Sequence, residues 1–295
     1  MQGTAPGLRA DPAARLADLE RQRPEWRAWL RMLGAARGAL GDAGWSAPFA
    51  EAESAGGTGA PARAPLLHGL TLEVDASRVR RLMGRLASAA ADGTETGAVS
   101  LRGYRPSAVD AVELLTAAVR QDRARVGALA QAGGVDPGAL ASAADLASLP
   151  LLHSCGRLLT DRAPRFWPHG YCPICAAWPI LSERRGLDRT RRLRCGRCGD
   201  DWEVQWLCCI YCGEREHERL GSLVLEDEGE RLKVETCASC RGYLKSVATL
   251  QGIPAFELLL QDLETVELDL VALDRGYQRP QEIGFQLDTR VVPRG

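Results

Sequence analysis

Four Cys-x-x-Cys pairs between residues 172 and 240 are the strongest constraint on the fold of this 295-residue chain. A two-residue gap lets one tight turn present two thiolates to a single ion, and two such turns complete a tetrahedral site. The spacing between successive pairs is typical of zinc ribbons and rubredoxin-like knuckles. We therefore predict that these eight cysteines bind metal: Cys172, Cys175, Cys195, Cys198, Cys209, Cys212, Cys237 and Cys240.

Sequential pairing of the four knuckles closes the shortest loops and has the lowest entropic cost, which gives two tandem four-cysteine sites. An interleaved cross-brace, with longer loops, is the alternative. Four thiolates suit Zn²⁺ or a single iron of the rubredoxin type, and the sequence does not choose between these metals. We expect a structural metal that holds a weakly cored region folded, with redox-active iron as the alternative.

Two further cysteines stand outside the pairs. Residues 202–208, WEVQWLC, alternate as a β-strand does, which puts Cys208 beside the two tryptophans and turns Cys209 to the opposite face. Cys208 is therefore predicted to pack as a small apolar residue, with a reactive or replacement-ligand role as the alternative. Cys155 lies on a helical segment and is predicted to be a buried thiol. His169 and His217 lie near the knuckles but are not needed as ligands.

Residues 1–165, which contain a single cysteine, Cys155, have the apolar periodicity of a helical bundle. Residues 42–66 are rich in Gly, Ala, Ser and Pro and are predicted to be a mobile linker. Asp11 and Asp75 are predicted helix N-caps. One long helix is expected from about 106 to 132, and another is expected to end at Pro150.

The fold class expected from these patterns is α+β. An N-terminal α-helical bundle precedes two tandem rubredoxin-like or zinc-ribbon modules, at residues 166–207 and 208–250, and a C-terminal helix and tail at 251–295. The apolar period from Pro254 onward predicts one helix, which packs back on the first domain or caps the metal region.

Charge and hydropathy limit the classes of function. The formal net charge is −1, and no apolar run is long enough to span a membrane. The N-terminal residues carry no apolar signal segment, so we expect a cytoplasmic protein, where thiolates bind metal more often than they form disulfides. The arginine-rich residues 183–197 are interpreted as a solvated face. The alternative is a basic arm that contacts nucleic acid or an acidic protein segment.

Five motifs together resemble the FdhE family of formate dehydrogenase accessory proteins. They are GYCPIC, RCGRCGDDW, CIYCG, VETCASCRGYLKSV and DLETVELDLVALDRGYQR, and they fall between about residues 165 and 280. The resemblance implies a cytoplasmic, non-enzymatic maturation factor with two rubredoxin-like sites, needed for formation of active formate dehydrogenase. It also implies contact with the catalytic subunit of that enzyme, makes nucleic acid an unfavoured partner, and assigns the metal-binding role to the eight knuckle cysteines.

The chain departs from the family pattern at a few positions. Ala176 and Ala177 stand where Gly-Ser is usual, and Trp206 stands where a basic residue is common. Loss of a glycine removes a residue that tolerates positive φ, so we expect an altered geometry at the first site. Tyr243 and Lys245 belong to the motif and are interpreted as packing or surface around the sites.

Overall fold

The computed structural model combines a helical N-terminal region with a predominantly β cysteine-rich region. It describes residues 11–46, 49, 64–91, 101, 104–224 and 231–294. The predicted mobile linker at 42–66 lies largely outside these residues. Within them, no helix is both long enough and apolar enough to cross a membrane.

Among the described residues of the N-terminal region there are six α-helices: α1 Pro12–Gln22, α2 Arg27–Leu40, α3 Ala76–Ala91, α4 Ala111–Val119, α5 Arg123–Gly133 and α6 Pro137–Leu159. The predicted N-caps are confirmed, because the carboxylate of Asp11 accepts from the N–H of Ala13 at 3.2 Å. The Asp75 carboxylate accepts from the N–H of Ser77 at 2.8 Å. Apolar side chains of α2 to α6 fill one continuous core.

The prediction of one helix from about 106 to 132 is wrong, since α4 ends at Val119 and α5 begins at Arg123. Gln121 adopts a φ of 58° between them, and the carboxylate of Asp122 caps α5 through the N–H of Arg125 at 2.9 Å. A left-handed residue followed by an N-cap thus ends one helix and starts the next.

The helix end expected at Pro150 is also wrong, because α6 continues through this residue to Leu159. Proline removes one backbone hydrogen bond from a helix interior. The flanking Leu149, Leu151 and Leu152 are buried, so packing on both sides of the proline holds the helix together.

Six of the eight strands in the described part of the chain form one mixed sheet. The strands are β1 Thr71–Val74, β2 Leu181–Arg185, β3 Thr190–Arg194, β4 Asp201–Glu203, β5 Leu220–Val224, β6 Leu232–Cys237, β7 Tyr243–Thr249 and β8 Arg290–Pro293. The spatial order in the large sheet is β4-β3-β2-β7-β6-β5. Neighbours are antiparallel except β2 and β7, which pair in parallel with Ser182 opposite Ser246. This parallel pair joins the strands of the two knuckle regions into a single sheet.

The C-terminal region contains two helices, α7 Ala255–Glu264 and α8 Val266–Asp274, where one was expected. Thr265 separates them with a non-helical backbone, and its hydroxyl donates to the carbonyl of Gln261 at 2.7 Å. Such a bond from threonine to the preceding turn favours a bend in the helix.

The break at Thr265 lets the two helices pack in different places. On α7, Glu264 accepts from the buried guanidinium of Arg15 on α1 at 2.7 Å. On α8, Leu268 and Ala272 are buried against strands β5 to β7. The C-terminal segment therefore both packs back on the helical region and covers the sheet. The chain then ends in β8, which pairs in parallel with β1.

Candidate metal centres

All four Cys-x-x-Cys segments adopt the same backbone turn. In each, the N–H of the first cysteine donates to the carbonyl five residues later. The distances are 2.8 Å for Cys172 to Ala177, 3.0 Å for Cys195 to Asp200, 2.8 Å for Cys209 to Glu214 and 3.0 Å for Cys237 to Gly242. The repeated hydrogen bond closes a loop that turns both thiols of a pair toward the same side.

The residue after the second cysteine of each pair has a positive φ. The values are 63° at Ala176, 81° at Gly199, 78° at Gly213 and 58° at Arg241. Glycine reaches this left-handed region without strain, whereas the same conformation costs about 1 kcal/mol or more for alanine and arginine. The altered geometry expected at the first site is therefore wrong, because Ala176 adopts the backbone conformation that the two glycines adopt.

The turns bring the eight cysteines together as two groups of four in sequential order. Site 1 comprises Cys172, Cys175, Cys195 and Cys198, and site 2 comprises Cys209, Cys212, Cys237 and Cys240. Within each group all four sulfurs lie within 4.8 Å of one another. The distances from a sulfur of one knuckle to the nearest sulfur of the other are 3.5 and 3.4 Å in site 1 and 3.6 and 3.7 Å in site 2.

These donor sets fit a tetrahedral metal ion. A metal–sulfur bond of about 2.3 Å implies sulfurs about 3.8 Å apart, close to the observed distances. Four thiolates also leave excess negative charge on a divalent ion, which hydrogen bonds to sulfur reduce. In site 1 the N–H groups of Ile174 and Arg197 lie 3.4 Å from the Sγ atoms of Cys172 and Cys195. Both groups can therefore hold Zn²⁺ or iron, and the geometry does not distinguish the two metals.

Site 1 is enclosed, since all four of its cysteines are buried. Helix α6 lies directly over the second knuckle, where a Cβ added at Gly156 would come within 2.2 Å of the Cys198 carbonyl oxygen. On the other side, the N–H groups of Leu66 and Leu67 donate at 2.7 and 3.0 Å to carbonyls inside the first knuckle. Site 1 thus lies in the interface between helices and sheet.

Two side chains near site 1 extend this interface. The guanidinium of Arg197, inside the second knuckle, donates to the carbonyl of Ala118 at 2.6 Å and so caps the end of α4. Cys155 on α6 is fully buried, as predicted, and burial raises the pKa of its thiol well above the usual range. Cys155 therefore packs as a neutral apolar residue.

Site 2 is more open. Cys209 and Cys237 are buried, Cys240 is half-buried and Cys212 is exposed. The site lies beside β5, which is an edge strand of the sheet. A metal here is within reach of solvent or of a docked molecule, whereas a metal in site 1 is not.

Cys208 lies outside both groups, half-buried beside site 2. The predicted strand over 202–208 is wrong beyond Glu203, where β4 ends. The guanidinium of Arg191 explains the change, because it donates to the carbonyls of Gln205 at 2.9 Å and Cys208 at 3.0 Å. These carbonyls are bound by a side chain and not by a neighbouring strand. The assignment of Cys209 and Cys212 to one site nevertheless agrees with the observed grouping.

The strand arginines of residues 183–197 are neither a solvated face nor a free basic arm. Arg191, Arg192 and Arg194 form ion pairs with Glu235, Asp201 and Glu183, respectively. Arg191 and Arg194 are buried, so they stabilise the sheet from within. The sequence shows the charges but not the carboxylates that fold next to them.

A buried ionic network explains two of the C-terminal motifs. Lys245 on β7 is fully buried, and its Nζ lies 2.6 Å from Asp262 and 2.6 Å from Asp269. Arg279 lies 3.0 and 3.1 Å from the same two carboxylates, and Tyr243 donates to Asp269 at 2.9 Å. Lys245, interpreted from the sequence as packing or surface, therefore attaches the second knuckle region to α7 and α8.

The two histidines that lie near knuckles in the sequence are not among the clustered ligand atoms of the described residues. His169 stacks on Tyr171 with ring centroids 5.0 Å apart. His217 begins a short 3₁₀ turn before β5.

Comparison with known proteins supports the resemblance to the FdhE family. Residues 194–283 match the family model described as FdhE, C-terminal domain. An FdhE homologue of Stutzerimonas stutzeri is 37% identical over 111 residues, which are 37% of this chain and 35% of that protein. Protein FdhE of Escherichia coli is 32% identical over 114 residues, 37% of this chain and 35% of that protein. The matched segment thus spans little more than a third of these relatives.

A solved structure, that of the FdhE protein from Pseudomonas aeruginosa, matches over 94% of each chain with a TM-score of 0.51 and 22% identity. At this identity the match shows a common fold. The predicted resemblance to the FdhE family is confirmed by the family model, the homologues and the fold together.

Proposed function

With an FdhE-type C-terminal domain as the starting point, we propose that this protein is a non-enzymatic accessory factor for the formation of active formate dehydrogenase. In this role it binds the catalytic subunit of the enzyme in the cytoplasm. The observation that carries the proposal is the pair of four-cysteine sites, six of whose eight cysteines lie within the residues 194–283 that match the FdhE C-terminal domain. The sequence motifs that resemble the family surround these sites.

The two sites have different surroundings and, we propose, different roles. Site 1 joins α6 and the segment before β1 to the sheet, so its metal stabilises the interface between the helical region and the knuckles. Site 2 lies at the open edge of the sheet, where its metal keeps the surrounding surface in one conformation. A bound Zn²⁺ or iron would cross-link four thiolates, and the surface that it orders would bind the catalytic subunit.

A strain that lacks this gene tests the proposal. Expression of the wild-type protein should restore formate-dependent dye reduction, and the purified protein should bind the purified catalytic subunit in a pull-down. A variant with Cys209 and Cys212 replaced by Ser should restore less activity, with a normal amount of dehydrogenase subunit in the cell. Full activity in the deletion strain, or no association with the subunit, contradicts the proposal.

A redox role for rubredoxin-like iron is the second candidate, and the exposure of Cys212 favours it. Electron transfer to a partner needs a short path from metal to surface, which site 2 offers and site 1 does not. Protein purified without oxygen from iron-replete cells should then be red and show a reversible one-electron couple. Stoichiometric zinc in that preparation would exclude this candidate.

A nucleic-acid-binding role is not favoured by the structure. Three of the arginines that suggested it, Arg191, Arg192 and Arg194, form internal ion pairs with Glu235, Asp201 and Glu183. Binding through counterion release needs cations that are free to face phosphates.

A further inference from the structure

An aromatic cleft lies beside the segment that joins the two metal sites. Six aromatic rings line its wall, and five of them form a continuous row: Trp167, His169, Tyr171, Trp178 and Tyr211. Successive ring centroids along this row are 5.0 to 6.3 Å apart. The cleft encloses a cavity of about 380 Å³. Aromatic walls of this kind bind apolar or planar groups.

Two buried N–H groups at the cleft have no hydrogen-bond partner within the described part of the chain. They are Nε1 of Trp167 and Nε of Arg191, whose residues are 7% and 6% exposed. A buried donor without a partner costs free energy that an incoming acceptor recovers. Both groups are donors, so the group that complements them is a hydrogen-bond acceptor.

Charge at the cleft favours an anionic acceptor. Arg191 and the exposed Arg215 line it, and no Asp or Glu of the described residues does. The guanidinium of Arg191 is already paired with Glu235, so the positive charge that attracts a ligand is that of Arg215, and Arg191 offers its Nε–H as a donor. Hydrogen bonds from such donors to a carboxylate are stronger than those to a neutral oxygen. The complementary group is therefore a carboxylate next to an apolar side chain.

The surroundings of the cleft suit an extended chain better than a small acid. A second cavity, of about 410 Å³, lies against the same joining segment and shares Arg191 and residues 208–211 with the first. Its wall includes residues of β5, whose outer edge pairs with no strand of the described residues. A free strand edge and adjacent side-chain pockets are the features that recognise extended peptides.

We infer that the aromatic cleft binds an extended peptide segment in which an acidic side chain stands next to an aromatic or aliphatic residue. The source of the segment, a client polypeptide, rests on the function proposed above. The chemistry of recognition rests on the cleft alone: Trp167 and Arg191 donate to the carboxylate, Arg215 adds attraction, and the ring wall holds the apolar neighbour.

The test uses the full-length, metal-loaded protein and two short peptides, acetyl-Gly-Phe-Asp-Leu-Gly-amide and the same peptide with Asn in place of Asp. The indole N–H resonances in ¹H–¹⁵N spectra report binding. The Trp167 resonance should shift downfield with the acidic peptide, since its N–H gains an acceptor. The Trp45 indole, which is buried in the helical region and does not line the cleft, serves as an internal reference. The acidic peptide should bind about tenfold more tightly than the amide peptide.

Two pairs of variants locate the effect. Trp167→Phe keeps an aromatic ring but removes the indole N–H, so it should reduce the preference for the Asp peptide over the Asn peptide. Trp29→Phe, outside the cleft, should leave that preference unchanged. Arg215→Gln should weaken binding of the acidic peptide at low salt, whereas Arg189→Gln, at an exposed turn, should leave it unchanged. Metal content and thermal melting of each variant show whether it is folded.

Equal affinity for the two peptides, or an unshifted Trp167 resonance on saturation, overturns the inference without need of any variant. In a competition experiment, displacement of the acidic peptide by acetate at equal concentration would show that a small carboxylate, and not a peptide, occupies the cleft. No dehydrogenase is present in this experiment. Peptide binding can therefore fail while association with the catalytic subunit holds, and the two proposals are tested separately.

Discussion

Gly156 on α6 lies against Cys198 of site 1 so closely that a Cβ at Gly156 would come within 2.2 Å of the Cys198 carbonyl oxygen. Helix and knuckle therefore contact each other through backbone, with no side chain between them. This contact makes site 1 part of the interface between helices and sheet, and it leads to the first prediction.

Gly156→Ala should destabilise the protein by about 2 kcal/mol, because the new methyl group overlaps a backbone atom that cannot move without disturbing a cysteine. Gly38→Ala is the matched control in another helix, where a Cβ would meet no atom within 4 Å. This control should stabilise by about 0.5–1 kcal/mol through helix propensity. Chemical denaturation of the metal-loaded variants measures both. Equal effects of the two substitutions would show that α6 does not press on site 1.

Gly199 and Gly213 occupy the same left-handed position in two knuckles, with φ values of 81° and 78°. Gly213→Ala should cost about 1 kcal/mol from the backbone conformation alone, since no atom lies within 4 Å of its Cβ. Gly199→Ala should cost about 1–3 kcal/mol more, because its Cβ would lie 2.6 Å from the Cβ of Ala255. Thermal melting at fixed metal concentration compares them, and the reverse order would contradict the packing of α7 on site 1.

Metal should leave the two sites at different rates. Site 2 has one exposed cysteine, Cys212, whereas all four cysteines of site 1 are buried. A chelator should therefore remove one equivalent quickly and the second only as the protein opens. Stopped-flow absorbance with a colorimetric chelator should show two phases, and Cys212→Ser should abolish the fast one. A single phase of two equivalents would contradict the difference in exposure.

Cys208 and Cys209 are adjacent in sequence but differ in role. Cys209→Ala should reduce the metal content from two equivalents to about one, because it removes one of four ligands from site 2. Cys208→Ala should retain both, since its sulfur lies outside the group. Elemental analysis of proteins purified side by side measures this difference. Equal loss from both variants would show that Cys208 can act as a ligand.

Lys245 balances charge in a network of two cations and two carboxylates. Lys245→Met should destabilise by about 3 kcal/mol, because it leaves Asp262 and Asp269 with only one cation, Arg279. Adding Asp269→Leu restores the balance and should recover part of the loss, as a double-mutant cycle measures. Strictly additive losses would show that the two side chains act independently.

The sequence predicted the features that depend on near neighbours. A two-residue gap between cysteines forces both thiols onto one turn, so the four pairs could be read directly. The sequence favoured their sequential grouping over an interleaved one, and the structure shows the sequential grouping. The N-caps at Asp11 and Asp75 have the same local origin, since each carboxylate bonds to an N–H two residues away. Periodicity also located most helices, although it could not find the breaks at Gln121 and Thr265.

The features that sequence reasoning missed depend on partners far away in the chain. Arg191 is a charged residue of a segment that was expected to be solvated. It is buried because Glu235 and the carbonyls of residues 205–208 lie around its guanidinium. Pro150 breaks an isolated helix but is held inside α6 by burial on both sides. Ala176 adopts the left-handed conformation because the knuckle imposes it.

The sequence by itself determined where the thiols are and which two lie on each turn, because ligand spacing acts over a few bonds. Only the tertiary structure decided that site 1 is enclosed by α6 while site 2 remains open at the edge of β5. Burial is a property of the elements that pack around a site, and around site 1 those elements include Leu66 and Leu67, which are distant from the knuckles in the chain. The difference between an enclosed and an open metal site therefore exists only in the folded chain.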